Sequence, residues 1–210
     1  MPPARKDVGP TSKRDELDRC SELLQAGKLE EALAALDSYI ESNPDNATAH
    51  YYRGYALFAL ERYEEAIRAC DAATELDPSM VGAYLNKGAA LDFLKRHEEA
   101  LATLEKLIEF QPENAMAHYN KGVVLGNLDR HVEALNAYTA AVGLDPNYTY
   151  AFYNRAVEYA HVGKKDEMLE DLARAIELDP SERDNARDED AFDPYRDDPD
   201  FRRLVYPEEF

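Results

Sequence analysis

The sequence predicts an all-α protein built from five helix-turn-helix repeats, because three series of residues recur in phase every 34 positions. The first is a proline series at Pro44, Pro78, Pro112, Pro146 and Pro180. The second is a mostly alanine series at Ala32, Ala66, Ala100, Ala134 and Met168, and the third is a small-residue series at Cys20, Gly54, Gly88, Gly122 and Ala156. A fixed period of this length indicates a repeat architecture, and three series in phase are not expected by chance.

Each series has a physical reason. Proline cannot donate an intrahelical hydrogen bond, so it ends one helix and begins the turn into the next hairpin. Small residues on the two helices of a hairpin allow close helix approach. Between the series, apolar residues recur in steps of three and four, as at Leu94, Leu101 and Leu104, which is helical spacing. Short turn signals divide each repeat into two helices: 26–28, 61–62, 95–96, 129–130 and 162–164.

This pattern resembles the tetratricopeptide repeat family over roughly residues 13–182. The resemblance implies a right-handed α-solenoid of five antiparallel helix-turn-helix repeats. We place the repeats at 13–46, 47–80, 81–114, 115–148 and 149–182. The chain departs from the family pattern in having a basic residue before each small one, at Arg19, Arg53, Lys87, Lys121 and Arg155. These side chains either pair with local carboxylates, which we favour, or form a strip that binds an anionic group of a ligand.

The two ends differ in composition. Residues 1–12 contain three prolines and several charges, which predicts a disordered N-terminal leader. Residues 183–210 are acidic but contain regularly spaced large apolar side chains, among them Phe192, Phe201 and Val205. We expect this acidic-aromatic segment to be a C-terminal cap over Met168, Leu172 and Ile176. The alternative is a peptide that docks into a groove of another molecule.

Charge limits the classes of partner. The net charge is −19, from 43 acidic and 24 basic residues, so phosphate backbones and anionic lipids repel the chain. Apolar stretches are far shorter than the roughly 20 residues that span a bilayer, and no signal peptide is recognisable. We therefore predict a cytoplasmic protein with no nucleic-acid or membrane partner. Cys20 and Cys70 are expected to be free thiols, with a disulfide as the alternative.

Motifs for catalysis are not found. The histidines His50 and His118 occupy equivalent repeat positions, as do His97 and His131, which favours a structural role over a metal site. Paired glutamates at 30–31, 64–65 and 98–99 suit the positive end of a helix dipole better than a catalytic dyad. No phosphate-binding loop or activated nucleophile motif is present. The sequence therefore predicts no enzyme, no cofactor and no metal.

The resemblance implies that the first helices of successive hairpins line a concave surface. We predict a peptide-binding groove lined by Tyr51, Tyr52, Tyr55, Asn86, Phe93, Tyr119, Asn120, Asn127, Tyr150, Tyr153 and Asn154. The inner-facing positions, which also include Met116, contain one carboxylate, Asp92. We therefore expect a protein or peptide ligand of low charge.

Two features of this face have more than one interpretation. Asn86, Asn120 and Asn154 recur at the repeat period, and their amides could bond a peptide backbone whatever its sequence; asparagine is also simply common at this place in the family. The tyrosines offer contact area at a small entropy cost, although some are expected to lie in the core between hairpins. Gly126, in mid-helix, either leaves a gap for a partner side chain or permits close helix packing.

A charged clamp is not expected. Tetratricopeptide co-chaperones that hold acidic C-termini use lysine and arginine at positions that are Leu85, Tyr119, Tyr150 and Tyr153 here. The main hypothesis is thus a non-enzymatic adaptor that binds a peptide or amphipathic helix. The alternative is a structural protein that forms a homo-oligomer through the groove or the C-terminal segment.

Overall fold

The computed structural model describes residues 13–209, and within that range it contains twelve α-helices and no strand. The repeat helices are α1 (Lys13–Gln25), α2 (Leu29–Ser42), α3 (Ala47–Ala59), α4 (Tyr63–Leu76), α5 (Val81–Phe93), α6 (His97–Phe110), α7 (Ala115–Asn127), α8 (His131–Leu144), α9 (Thr149–His161) and α10 (Lys165–Leu178). They are followed by α11 (Glu182–Asp188), a 3₁₀ helix (Asp190–Tyr195), α12 (Pro199–Val205) and a second 3₁₀ helix (Pro207–Glu209). The prediction of an all-α fold of helix-turn-helix repeats is confirmed.

The N-terminal leader predicted at 1–12 lies outside the described residues. The repeat and segment boundaries given above remain our proposal.

The turn inside each hairpin contains one residue with left-handed backbone. The five residues and their φ angles are Gly27 (70°), Glu61 (58°), Lys95 (60°), Asp129 (56°) and Gly163 (73°). At the second turn, Glu61 N–H donates to Phe58 O and Arg62 N–H donates to Leu57 O, both at 2.9 Å. This pair of bonds is a Schellman motif, which satisfies the last carbonyls of α3 and redirects the chain into α4.

Acidic residues occupy the first turn of each second helix, including the predicted pairs at 30–31, 64–65 and 98–99. A basic residue in the preceding turn pairs with one of them: Arg62 Nη2 lies 2.7 Å from Glu65 Oε2, and Arg130 Nη2 lies 2.6 Å from Glu133 Oε2. These hydrogen bonds lower the pKa of Glu65 and of Glu133. The glutamates therefore serve the helix ends, as predicted.

The described residues form two compact units, one up to Leu94 and one from Lys95 onward. In the N-terminal unit, a Cβ added to Gly54 would lie 2.7 Å from Cys70 Sγ, so only glycine allows α3 this close to α4. Cys20 and Cys70 are both free and buried. Burial raises the pKa of the Cys70 thiol to about 12, which keeps it protonated and unreactive.

In the C-terminal unit, the segment after α10 packs on the last hairpin. Phe192, Phe201 and Val205 are fully buried in one cluster with residues of α9 and α10, including the predicted contacts Met168, Leu172 and Ile176. Polar contacts fix the segment further: Lys165 Nζ lies 2.8 Å from Asp198 Oδ2, and Arg187 Nη2 donates to Val205 O at 3.0 Å. The capping segment is therefore present, and its apolar residues are used within the chain.

From Arg53 onward, the basic series pairs with local carboxylates, as the sequence favoured. The pairs, all 16 residues apart, are Arg53–Asp37 (2.6 Å), Lys87–Asp71 (2.5 Å), Lys121–Glu105 (2.7 Å) and Arg155–Asp171 (2.6 Å). The last pair differs because its carboxylate lies later in the chain and is buried. Burial raises the pKa of Asp171 although Arg155 opposes the shift.

Two of the equivalent histidines support the turns between hairpins. His50 Nε2 lies 2.8 Å from Pro44 O, and His118 Nε2 lies 2.9 Å from Pro112 O. Each ring thus bonds the carbonyl of the proline that ends the previous hairpin. This is the structural role that the equivalent spacing predicts.

Candidate binding surfaces

The N-terminal unit places the three predicted tyrosines of α3 in different environments. The Tyr51 ring covers Gly82, where an added Cβ would lie 2.6 Å from the ring, and burial raises the pKa of Tyr51. Tyr52 packs against the buried clusters of the first two hairpins. Tyr55 is exposed. With Leu24, the three rings line an open pocket of about 240 Å³, so packing uses two of the rings and Tyr55 is available to a partner.

Phe93 and Asn86, both on α5, complete the predicted residues of this unit. Phe93 is exposed and stacks on Tyr63, with ring centroids 4.9 Å apart, while Phe58 meets it edge-on at 5.7 Å. Asn86 Nδ2 is enclosed by protein and has no hydrogen-bond partner. An unpaired enclosed donor costs about 1–3 kcal/mol. The contribution of Tyr63 to the aromatic surface was missed, because Tyr63 begins a second helix and only contact reveals it.

In the C-terminal unit, Tyr119 lies at the centre of a polar and aromatic network. Its hydroxyl accepts a hydrogen bond from Asn154 Nδ2 at 3.2 Å, and its ring lies 4.8 Å from Tyr148 and 5.9 Å from Tyr138. Burial raises the pKa of Tyr119, and it raises that of Tyr148 to about 12. Tyr148, the residue before α9, was not predicted as part of the surface.

The three asparagines of the repeat series are therefore not equivalent. Asn86 is enclosed and unpaired, and the Asn154 amide donates to Tyr119. Asn120 is half-buried and makes no side-chain hydrogen bond with any residue between 13 and 209. Asn127 is exposed at the end of α7.

Tyr150 and Tyr153 of α9 face a pocket that the repeats alone do not form. Tyr150 is exposed, whereas Tyr153 packs edge-on against Phe192 at 6.2 Å. An open pocket of about 420 Å³ is lined by these rings and Asn154 on one side and by Glu182, Asn185, Asp188 and Glu189 on the other. The first helices were predicted to place one carboxylate, Asp92, on the inner face, and this pocket adds three carboxylates from beyond α10. They are Glu182, the last residue of the predicted fifth repeat, and Asp188 and Glu189 of the predicted acidic-aromatic segment.

The space beside Gly126 is filled from within the chain. A Cβ at this position would lie 2.5 Å from Glu158 Oε1. Glu158 is buried, its Oε2 lies 2.8 Å from His131 Nδ1, and the His131 ring stacks on His161 at 4.6 Å. The hypothesis of a gap that admits a partner side chain is therefore wrong, and Gly126 permits close packing of α7 against α9.

Within residues 13–209, no group of three or more histidine, cysteine or acidic side chains has the geometry to hold a metal ion. No helix in the same range combines the length and the hydropathy needed to cross a bilayer.

The paired helices, the left-handed turns and the small-residue contacts together define a helical-repeat protein. Sequence models of the tetratricopeptide repeat match residues 17–81, 57–121, 115–148 and 149–182. The chain belongs to the tetratricopeptide repeat family. Proteins of this family are generally non-catalytic interaction scaffolds.

Solved structures of the same fold are similar to this chain, whereas no curated protein sequence matches it. A fragment of MamA from Desulfovibrio magneticus RS-1, residue 41 to the end, is 25% identical with a TM-score of 0.71, covering 80% of this chain and 96% of its own. YrrB, described as a TPR protein with an unusual peptide-binding site, is 28% identical with a TM-score of 0.64, covering 80% and 87%. TTC0263 of Thermus thermophilus, a thermophilic TPR protein, is 22% identical with a TM-score of 0.69, covering 86% and 99%, and shows the fold alone.

Proposed function

We propose that this protein is a non-enzymatic adaptor that binds a peptide or amphipathic helix of low charge on its first helices. The supporting observation is that each of α3, α5, α7 and α9 exposes one large apolar side chain. These side chains and their exposed fractions are Tyr55 (42%), Phe93 (58%), Met116 (50%) and Tyr150 (60%). All four occupy inner-facing positions of the predicted groove.

Such exposure suits binding because burial against a partner gains about 25 cal/mol per Å² of apolar surface. Tyrosine and phenylalanine lose little side-chain entropy when they are fixed. The second helices also expose apolar side chains, at Leu76, Phe110, Val132 and Leu144. The first-helix set differs in being mostly aromatic, and on a chain of net charge −19 such a set suits an interaction surface. The similarity to YrrB, described as having an unusual peptide-binding site, supports the same class of ligand.

The asparagines supply the polar part of the proposal. The half-buried Asn120 amide has no partner among the described residues, and the backbone carbonyls and N–H groups of a peptide could satisfy it. The Asn86 amide nitrogen is enclosed by protein, so a peptide could reach only the rest of that side chain. Asn154 would contribute through its position beside Tyr119. The bound peptide would thus be recognised by backbone bonding together with aromatic contact.

The experiment is selection from a random twelve-residue peptide library displayed on phage, with the full chain immobilised. We expect enriched peptides that bind the wild type and are lost on the triple variant N86A/N120A/N154A. Asn136→Ala is the matched control, because Asn136 is exposed on the second helix α8. Circular dichroism at 222 nm checks that helicity is intact. Equal binding by the triple variant and the control would refute the role of the asparagines.

Self-assembly is the alternative, and the structure restricts it. Phe192, Phe201 and Val205 are buried within the chain, so an assembly through the C-terminal aromatic residues would have to unfold the cap. An oligomer would use the exposed residues of the first helices instead. Light scattering over a dilution series separates the two proposals, since a monomer at every concentration excludes the oligomer.

A further inference from the structure

We infer that the pocket between α9 and α11 binds the positively charged side chain of a lysine or arginine in the bound peptide. This inference rests on the proposed function and adds one specific requirement to it. The peptide would be of low charge over most of its length, with one basic residue placed at this end.

Glu182 is a buried carboxylate without a counter-charge among residues 13–209. Glu182 is 2% exposed and lines the pocket. Its Oε2 accepts a hydrogen bond from Asn185 Nδ2 at 2.7 Å, but no cationic group of residues 13–209 forms an ion pair with it. Removing a carboxylate from water is costly unless an opposite charge compensates for it.

The basic residues of the same helix do not supply that charge. Arg183 Nε donates to Leu204 O at 3.1 Å. Arg187 donates to Val205 O and forms an ion pair with Glu208, with Nη2 and Oε1 2.7 Å apart. Both arginines hold the capping segment together, so neither supplies a counter-charge to Glu182, and a cation of a bound peptide could.

The rest of the pocket lining combines an aromatic ring with further carboxylates. The Tyr150 ring is largely exposed, and a cation over such a ring gains about 0.5–1 kcal/mol at an exposed site. Asp188 and Glu189 add negative charge at the rim. The pKa of Tyr153 is raised first by burial and then by the charges of Glu189, Glu182 and Asp188, so three carboxylates act on one ring. Aromatic faces beside carboxylates form a site for an organic cation.

A metal ion is the less suitable occupant. The pocket residues belong to the described part of the chain, where no set of three or more histidine, cysteine or acidic side chains could hold a metal ion. The pocket volume of about 420 Å³ and its exposed aromatic ring also favour a side chain over a bare ion.

The test uses the ¹⁵N-labelled full chain and three small probes. Nα-acetyl-arginine amide and Nα-acetyl-lysine amide each carry a cationic side chain. Nα-acetyl-citrulline amide has the shape of the arginine probe without its charge. We expect both cationic probes to shift the backbone amide signals of residues 150–154 and 182–189 at millimolar concentration, and citrulline to leave them unchanged. An equal response to citrulline, or no response to the cationic probes, would overturn the inference.

Variants locate the site. Glu182→Gln keeps the side-chain volume and an oxygen that can accept from Asn185, and we expect it to weaken arginine-probe binding at least fivefold. Glu113→Gln, at an exposed turn, is the matched control and should bind as the wild type does. Binding by Glu182→Gln that equals the control would refute the site. Calcium chloride is titrated in parallel, and shifts of these signals by calcium but not by the arginine probe would assign the pocket to a metal.

Stability provides a second readout that needs no ligand. If Glu182 lacks a counter-charge, Glu182→Gln should raise the thermal midpoint of the free protein, while Glu113→Gln leaves it unchanged. A lower midpoint for Glu182→Gln would show that the chain itself satisfies the carboxylate, which contradicts the inference.

The peptide library separates this inference from the proposed function. Enriched peptides that contain no basic residue would overturn the cation pocket and leave the adaptor function in place. Failure to enrich any peptide, together with a specific response to the arginine probe, would refute the proposed function while the pocket stands.

Discussion

Gly122 gives the sharpest test of how these hairpins pack. A Cβ added to Gly122 would lie 2.6–2.8 Å from three carbons of the Tyr138 ring, and an ordinary contact is 3.4–4 Å. Tyr138 is 2% exposed, so the ring has little free volume into which to move. The variant Gly122→Ala should therefore overpack the hairpin formed by α7 and α8.

Two opposing free energies decide the magnitude. Overpacking of a core costs about 1–3 kcal/mol, and alanine in place of a mid-helix glycine gains about 1 kcal/mol. Because three rigid ring atoms are involved, we take the upper half of the overpacking range, which leaves a net destabilisation of about 1–2 kcal/mol. Gly143 is the matched control in the same unit, since nothing lies within 4 Å of its added Cβ. Gly143→Ala should stabilise the protein by about 0.5 kcal/mol, less than the mid-helix value because the residue is near the helix end.

Thermal unfolding followed at 222 nm measures the difference. For a chain of this size, 1 kcal/mol shifts the midpoint by about 2–4 °C, so the two variants should differ by about 3–10 °C. Because repeat proteins can unfold in steps, hydrogen exchange of the α7 and α8 amides reports the local effect. Gly122→Ala should also alter peptide affinity, since the Tyr138 ring lies 5.9 Å from that of Tyr119. A stabilising Gly122→Ala, or equal shifts for both variants, would show that the ring is not confined as the structure indicates.

Three further predictions concern the turns, the basic series and the cap. Glu61→Gly should stabilise the protein by about 1 kcal/mol, because φ is 58° at Glu61 and glycine adopts this conformation without strain. Gly163→Ala should destabilise the protein, because φ is 73° at Gly163. Urea unfolding measures both changes, and stabilisation by both variants would contradict this account. Arg155→Met should lower the free energy of unfolding by about 3 kcal/mol, because it leaves the buried Asp171 carboxylate unpaired. Arg53→Met, at a more exposed pair, should lower it by less than about 1 kcal/mol. Equal losses in urea unfolding would refute the distinction. The hydrogen bond from Lys165 lowers the pKa of Asp198. The ionised Asp198 carboxylate therefore stabilises the cap above pH about 4, and this contribution is lost as the pH falls through the lowered pKa. Amide protection of α12 should decline on acidification in the wild type, and an equally steep decline in Asp198→Asn would contradict the assignment.

The fold was predictable because its determinants are local and repeated. Proline at Pro78 and Pro112 ends helices through its own covalent structure. Gly54 and Gly122 each mark a close contact between the two helices of a hairpin. The residue types also predicted that the basic series would pair with nearby carboxylates. The turn at 61–62 was predicted. The left-handed φ of Glu61 was not predictable, since glycine and not glutamate normally signals that conformation.

The candidate surfaces were predictable in position and not in environment. The period places Tyr51, Tyr55 and Tyr150 at equivalent faces of their helices. It does not show that Tyr51 is covered by contact with Gly82 while Tyr55 and Tyr150 are exposed. Likewise, Asn154 reaches Tyr119 and Asn86 reaches no partner, because these outcomes depend on side chains of other helices.

The sequence by itself determined an all-α tetratricopeptide repeat chain that exposes aromatic residues on its first helices, because helix periodicity and repeat spacing are properties of the chain alone. Only the tertiary structure decided that the capping segment closes the last hairpin with Phe192 and Phe201 and also brings Glu182 beside Tyr150. These residues are about 30 positions apart, and no periodicity relates them. Their proximity follows from how α11 packs on the hairpin, so the neutral surface predicted from the repeats has an acidic end in the folded protein.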